Sequence, residues 1–199
     1  MHILITGAAG MIGRKLTARL IKDGALHGRT IEALTLADVV SPDRPAGFEG
    51  RVELAAADLS ARGVAETVVA GRPGVIFHLA AIVSGEAETD FDKGYRINLD
   101  GTRALLEAVR KVGGGYRPRF VFTSSIAVFG APVPEAIPDE FHLTPLTSYG
   151  TQKAICELLL ADYTRRGFLD GVAIRLPTIS VRPGKPNRAA SGFFSSIIR

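Results

Sequence analysis

A chain of 199 residues with 46% hydrophobic and 22% charged residues is long enough for one domain with a sizeable core and too apolar for disorder. Lys and Arg exceed Asp and Glu by only 24 to 20, and the basic residues are scattered rather than gathered into a stripe, which argues against a nucleic-acid partner. No window holds the roughly 18 consecutive apolar residues of a membrane span. No signal peptide is expected either, because the strand-like His2-Ile3-Leu4-Ile5-Thr6 runs straight into glycine. The single cysteine, Cys156, excludes an internal disulfide and fits a reducing cytoplasm, where it is expected as a small buried hydrophobe on a helix. No metal site is expected.

Short apolar runs alternate with amphipathic stretches along the chain, the pattern of βαβ units. In order, the expected elements are a strand at about 2–6, a helix at about 11–23, strands at about 31–36 and 51–55, and a helix at about 61–70. A strand at about 74–79 and a long helix at about 88–111 follow. Gly113-Gly114-Gly115 stops that helix ahead of Pro118. A strand at about 118–124, a helix at about 148–166 and a strand at about 171–176 complete the series. Six strands in this order predict an α/β fold, a doubly wound parallel sheet of Rossmann type. Two connections are long: 41–50, and 131–146 with Pro132, Pro134, Pro138 and Pro145.

The first strand ends in Gly7-Ala8-Ala9-Gly10-Met11-Ile12-Gly13, and a helix follows. In such a loop Gly7 permits the tight turn and Gly10 lets the backbone approach phosphates. Gly13 lets the helix pack on the strand, and the first-turn N–H groups of Met11 and Ile12 face the pyrophosphate of a dinucleotide. Asp38 closes the second strand 25 residues after Gly13. A carboxylate there accepts from both adenine-ribose hydroxyls and repels a 2′-phosphate, which favours NAD over NADP; the alternative is a surface aspartate at a strand end. Asp58 and Leu59 are placed to reach the adenine edge. His78-Leu79-Ala80-Ala81 ends the fourth strand, where the small Ala80 lets backbone lie along the cofactor.

Tyr149 and Lys153 stand at i and i+4 on one helix face. A phenol near pKa 10 is a poor base at neutral pH, and a neighbouring ammonium lowers its pKa toward the working range. Lys153 can also hold the nicotinamide ribose. Before that helix, Phe122-Thr123-Ser124-Ser125 ends the fifth strand at the edge where open α/β sheets bind ligands. Strand alternation aims only one of Ser124 and Ser125 at any given face, and the pleat alone leaves open which.

Taken together, these residues, with Asn98 in Ile-Asn-Leu-Asp-Gly-Thr, resemble the extended short-chain dehydrogenase/reductases, the NAD-dependent epimerase/dehydratase group, from Met1 to about Pro177. That resemblance implies an enzyme in which Tyr149, Lys153 and Ser125 are catalytic, the serine being the one in Ser125-Ile126-Ala127-Val128-Phe129-Gly130. Phe129 stands where many members have tyrosine. It implies a bracing role for Asn98, Pro177 beside the cofactor, and a homodimer paired through the helices at about 88–111 and 148–166.

Members of this group carry a smaller C-terminal substrate domain. Residues 178–199 are expected to be only its beginning, because the chain stops at Arg199 inside an apparent helix. The string after the sixth strand lacks the Asn-x-Tyr-Gly-Pro pattern of nucleotide-sugar epimerases. With Ser84-Gly85-Glu86 it looks like the D-erythronate dehydrogenase subgroup, which implies NAD-dependent oxidation of a small sugar acid at C2. Ser84, Ser125 and Tyr149 would then meet substrate, and Arg182 or Lys185 its carboxylate, unless those two cations are merely solvated. The alternatives are a nucleotide-sugar epimerase or dehydratase, and a non-catalytic NAD-binding sensor.

Overall fold

The computed structural model describes residues 1–138 and 140–179. Strand β1 (His2–Thr6) leads into helix α1 (Met11–Asp23) across the glycine loop. Helix α1 ends at Gly24, whose left-handed backbone (φ 66°) returns its N–H to Leu20 O at 2.9 Å. A small hairpin of β2 (Ala25–Leu26) and β3 (Arg29–Thr30) then turns on His27 and Gly28, both at positive φ. This hairpin was not foreseen. It takes up residues ahead of Ala33, so β4 spans Ala33–Asp38 rather than the expected 31–36.

Strand β5 (Arg51–Ala56), helix α2 (Val64–Val69) and strand β6 (Val75–His78) follow. The expected long helix at 88–111 is in fact segmented into α3 (Ser84–Thr89), α4 (Phe91–Gly94), a π-helical turn over Tyr95–Asp100, and α5 (Gly101–Val112). Asp90 leaves helical geometry (φ −127°, ψ 86°) and caps α4 by accepting from Lys93 N at 3.0 Å. Strand β7 (Arg119–Ser125), a 3-10 turn over Ile126–Val128, helix α6 (Ser148–Arg165) and strand β8 (Asp170–Leu176) complete the described chain.

Six strands form one parallel sheet in the order β5-β4-β1-β6-β7-β8, as the doubly wound expectation requires. Register aligns Thr6 with Ala37 and with His78, Ala37 with Ala55, His78 with Phe122, and Ser125 with Leu176. The C-terminal ends of all six therefore lie along one edge, with the reversal of strand order between β1 and its neighbours opening a crevice there.

Both faces of the central strands β1, β4 and β6 are covered, which is why they read as continuous apolar runs, whereas the edge strands β5 and β8 leave residues such as Leu54, Val172 and Ile174 exposed. Along β1, Leu4 packs with Leu105, Leu106, Val109 and Phe120, while Ile3 and Ile5 pack with Leu20, Leu34 and Leu36 on the α1 side. Among the described residues no helix is long and apolar enough to cross a membrane. Phe120 is fully buried. Phe120→Ala is expected to cost about 3–5 kcal/mol of stability, read from urea denaturation; a loss below about 1 kcal/mol would show that the core does not close on that ring.

Candidate active site

The glycine loop is held by backbone-to-backbone contact. A methyl group on Gly7 would lie 2.7 Å from Ala80 N, and Gly7 itself has φ +73°. A methyl on Gly13 would lie 2.3 Å from Gly7 O and 2.7 Å from Ala8 Cα. Gly10, by contrast, is tight only against Gly7 O at 3.2 Å and is exposed. The loop is thus pressed onto the ends of β6 and α1, with its middle left open toward solvent. Helix α1 has no side-chain cap at Gly10 and no acidic residue in its first turn. Its first N–H groups, including those of Met11, Ile12 and Gly13, carry an uncompensated positive dipole end suited to a phosphate. Asp38 accepts from Ala9 N at 3.0 Å, which places a carboxylate against the same loop. A cradle of this shape and charge fits a dinucleotide with adenosine at Asp38 and pyrophosphate at the helix.

Behind the loop runs a buried polar chain. Thr102 Oγ1 donates to Asn98 O at 2.6 Å and so accepts from His78 Nε2 at 2.9 Å. His78 Nδ1 is left to accept from Thr6 Oγ1 at 2.7 Å, and Thr6 Oγ1 lies 3.5 Å from Ala80 N. Burial, then the nearby Lys153 charge, push the His78 pKa down to about 3. Neutral His78 with its proton on Nε2 satisfies every partner in the chain. Asn98, inside the π-helical turn, accepts from Ile82 N at 2.9 Å and donates to Gln152 Oε1 on α6 at 2.8 Å. Its backbone carbonyl also accepts from Cys156 Sγ at 3.4 Å. The π turn frees that carbonyl for side-chain donors.

The part of the edge that carries Ser125, Tyr149 and Lys153 is assembled by β7 and α6. Lys153 is buried, and its Nζ donates to Thr123 O at 2.8 Å, lies 4.7 Å from the Phe122 ring and 5.6 Å from the Tyr149 ring. Burial lowers its pKa to about 8, against the opposing pull of Cys156 and Glu157. Ser124 is buried and donates to Glu157 on α6. Ser125, on the opposite face, accepts from Ala127 N at 3.1 Å and opens the 3-10 turn. This accepted bond leaves the Ser125 O–H as a donor. A methyl on Gly150 would meet Ala127 O at 2.2 Å, so the first turn of α6 sits hard against the turn that Ser125 caps. Thr147 accepts from Gly150 N at 3.0 Å and Glu88 from Ser148 N at 3.0 Å, fixing the start of α6 and hence Tyr149.

Gly7, Gly10, Met11, Ile12, Gly13, Asp38, Ala80, Ser125, Tyr149, Lys153 and Pro177 all stand at the C-terminal edge of the sheet or on the elements packed against it. Asp58 lies just past β5 and is already engaged, accepting from Ser60 N at 2.9 Å and Arg96 Nη1 at 2.9 Å. Partial burial raises its pKa, but these bonds outweigh it and hold the carboxyl below its ordinary range. The Leu59 side chain is buried in the core. Ser84 opens α3. Arg182 and Lys185 lie outside the described residues.

Sequence reading passed over Thr6, Thr102, Gln152, Glu157 and Gly150 as site-building residues. Only Gly150, immediately after Tyr149, carried a local signal. Among the described residues no group of three or more metal-type side chains converges.

His78 generates a pH prediction. Its folded pKa lies below the ordinary 6.5, so between pH 6.5 and about 3 the unfolded chain binds a proton that the folded one refuses. Stability is full above 6.5 and falls as pH drops, by up to about 1.4 kcal/mol per pH unit from this group. His78→Gln is expected to be less stable at pH 7 but to lose that acid slope in denaturant titrations; an unchanged slope would refute the neutral buried histidine.

The NAD dependent epimerase/dehydratase family model matches residues 3–199. The chain is 52% identical over 204 residues to a D-erythronate dehydrogenase of Cupriavidus necator and 46% identical over 199 residues to that of Haemophilus influenzae. Each match covers 100% of this chain and 61% of the relative. A crystal structure described as a nucleoside-diphosphate-sugar epimerase of Agrobacterium tumefaciens superposes with a TM-score of 0.97 at 73% identity, covering 100% of this chain and 59% of that one. The chain thus spans about three-fifths of the length of the proteins it matches. It belongs to the NAD dependent epimerase/dehydratase family.

Proposed function

We propose that the protein oxidises the C2 hydroxyl of a small sugar acid, D-erythronate or a close relative, with NAD as cofactor. The observation that carries this reading is the 52% identity, over the whole of this chain, to a D-erythronate dehydrogenase. In it, Gly7, Gly10, Met11, Ile12 and Gly13 take the pyrophosphate, Asp38 the adenine-ribose hydroxyls, and Asp58 with the Leu59 backbone the adenine edge. Ala80 and Pro177 flank the nicotinamide half, and Tyr149 and Lys153 hold its ribose. NAD, when bound, supplies the hydride acceptor.

Tyr149, as phenolate, removes the C2 hydroxyl proton. Lys153 stabilises that phenolate: with its pKa near 8 it remains mostly an ammonium at neutral pH. One of its N–H bonds is spent on Thr123 O, which fixes the ammonium below the tyrosine ring. Ser125 donates its O–H to the same substrate oxygen and so aims C2. Ser84 and Arg182, with Lys185, take the remaining hydroxyls and the carboxylate. In this division, residues 1–177 bind cofactor and catalyse, while 178–199 begin the substrate side. The assembly is a cytoplasmic homodimer paired across 88–111 and 148–166.

A second reading has a specific support: the 73% identical Agrobacterium tumefaciens structure is described as a nucleoside-diphosphate-sugar epimerase. The full-length protein, given NAD and D-erythronate and then UDP-sugars, separates the two. Net reduced cofactor with the sugar acid supports the dehydrogenase, epimerised sugar without net reduction supports the epimerase, and silence with both sinks both. For Tyr149→Phe, kcat is expected to fall by ~10²–10⁴-fold with NAD affinity almost unchanged; retained turnover would remove the tyrosine from its role as base.

A further inference from the structure

We propose that Glu157 is a positioning residue for the Tyr149–Lys153 pair: it anchors the end of β7 through Ser124 and supplies the negative charge that keeps the buried Lys153 an ammonium. This inference rests on the reading of Lys153 as the cation that activates Tyr149.

Glu157 follows Lys153 by four residues and Tyr149 by eight, so the three lie along one face of α6. Its side chain is only 10% exposed and is held from two strands. Ser124, on β7, donates its hydroxyl to Oε1. Arg175, on β8, donates from Nη2 to Oε2 at 2.8 Å and from Nε to both oxygens at 3.1 and 3.2 Å, and its guanidinium lies 4.9 Å from the Phe129 ring. One carboxylate thus ties α6 to β7 immediately before Ser125 and to β8 two residues before Pro177. Ser124 and Ser125 face opposite sides of the strand, so fixing the first also fixes where the second points.

The charge argument depends on what surrounds Lys153. On β6, His78 is neutral, its pKa pushed down to about 3. On α6, burial raises the Cys156 thiol above its ordinary value, so it stays uncharged at neutral pH. Thr123 O and the Phe122 ring from β7 are polar or polarisable but uncharged. Glu88, from α3, is exposed to solvent at the first residue of α6, where it accepts from Ser148 N. Glu157 is therefore the carboxylate whose field raises Lys153, and Arg175 is the cation that holds it in place. A buried ammonium without an anion deprotonates.

A tie that acts through packing alone moves Lys153 the same way, or not at all, whichever partner is removed. A charge acting on Lys153 instead gives the two partners opposite signs. The test is an NMR titration of the lysine side-chain amines in the full-length protein without substrate, with Lys153→Met identifying the signal. In Glu157→Gln the Lys153 midpoint is expected to drop by about one pH unit, a roughly tenfold shift in its protonation equilibrium. In Arg175→Met it is expected to rise. Shifts of the same sign in both variants, or none in either, overturn the proposal. If Glu157→Gln does not fold, judged by circular dichroism, the Arg175→Met sign decides alone: upward supports and downward or unmoved overturns.

In turnover, Glu157→Gln is expected to lower kcat about tenfold while leaving the KM for NAD within twofold, and Glu157→Asp, which keeps the charge, to recover most of that loss. A Glu157→Asp variant as slow as Glu157→Gln overturns the charge role. The amine titration needs no substrate, so it stands or falls apart from the choice of substrate or of Tyr149 as base.

Discussion

Backbone meets backbone at Gly7 and Gly13 with no room for a side chain, and the rest of the site is arranged around that contact. Gly7 lies against the end of β6 at Ala80, and Gly13 lies against Gly7 itself. The contact brings the N-terminus of α1 to the centre of the sheet's C-terminal edge. Because neither a capping side chain nor an acid neutralises that helix end, its dipole is left for a ligand. Parallel register then does the remaining alignment, setting Asp38, Ser125 and Pro177 on the same edge from three other strands.

A second constraint couples this edge to α6. From Ala80 through Thr6, His78, Thr102 and Asn98 to Gln152, buried polar groups are joined in sequence across the core. Each bond is worth only about 0.5–1.5 kcal/mol net, while an orphaned member costs about 1–3 kcal/mol. Such a chain therefore does more to impose one arrangement than to add stability. Its members come from β1, β6, the π-helical turn, α5 and α6, so the cofactor loop and the tyrosine helix are held in a single mutual position. Glu157 adds a similar tie on the other side of α6, between β7 and β8.

The fold and the cofactor loop were legible because their signals are local. Continuous apolar strands, the glycine spacing and an uncapped helix start are all read from short windows, and α1 fell at its expected residues. The hairpin at 25–30 was missed because two-residue strands carry no periodicity, although His27-Gly28 is a positive-φ pair. The break at 90 and the π turn were missed because the helical period runs on through them. Their cause is tertiary: Asn98 is drawn into the core by Ile82 and Gln152. The pleat alone left Ser124 and Ser125 open, and the partner that engages Ser124 lies 33 positions further on, out of reach of any local signal. Leu59, expected beside a cofactor, has its side chain buried in the core, a placement set by packing that its neighbour Asp58 does not signal.

If the glycine loop and Asp38 together make an NAD site, calorimetric titration of the full-length protein will show it. Saturable binding of NAD is expected, with NADP bound more weakly by at least about tenfold because Asp38 repels a 2′-phosphate, and with NAD binding lost in a folded Gly13→Ala variant. NADP bound as tightly as NAD, or a Gly13→Ala variant that binds NAD like the wild type, would contradict it.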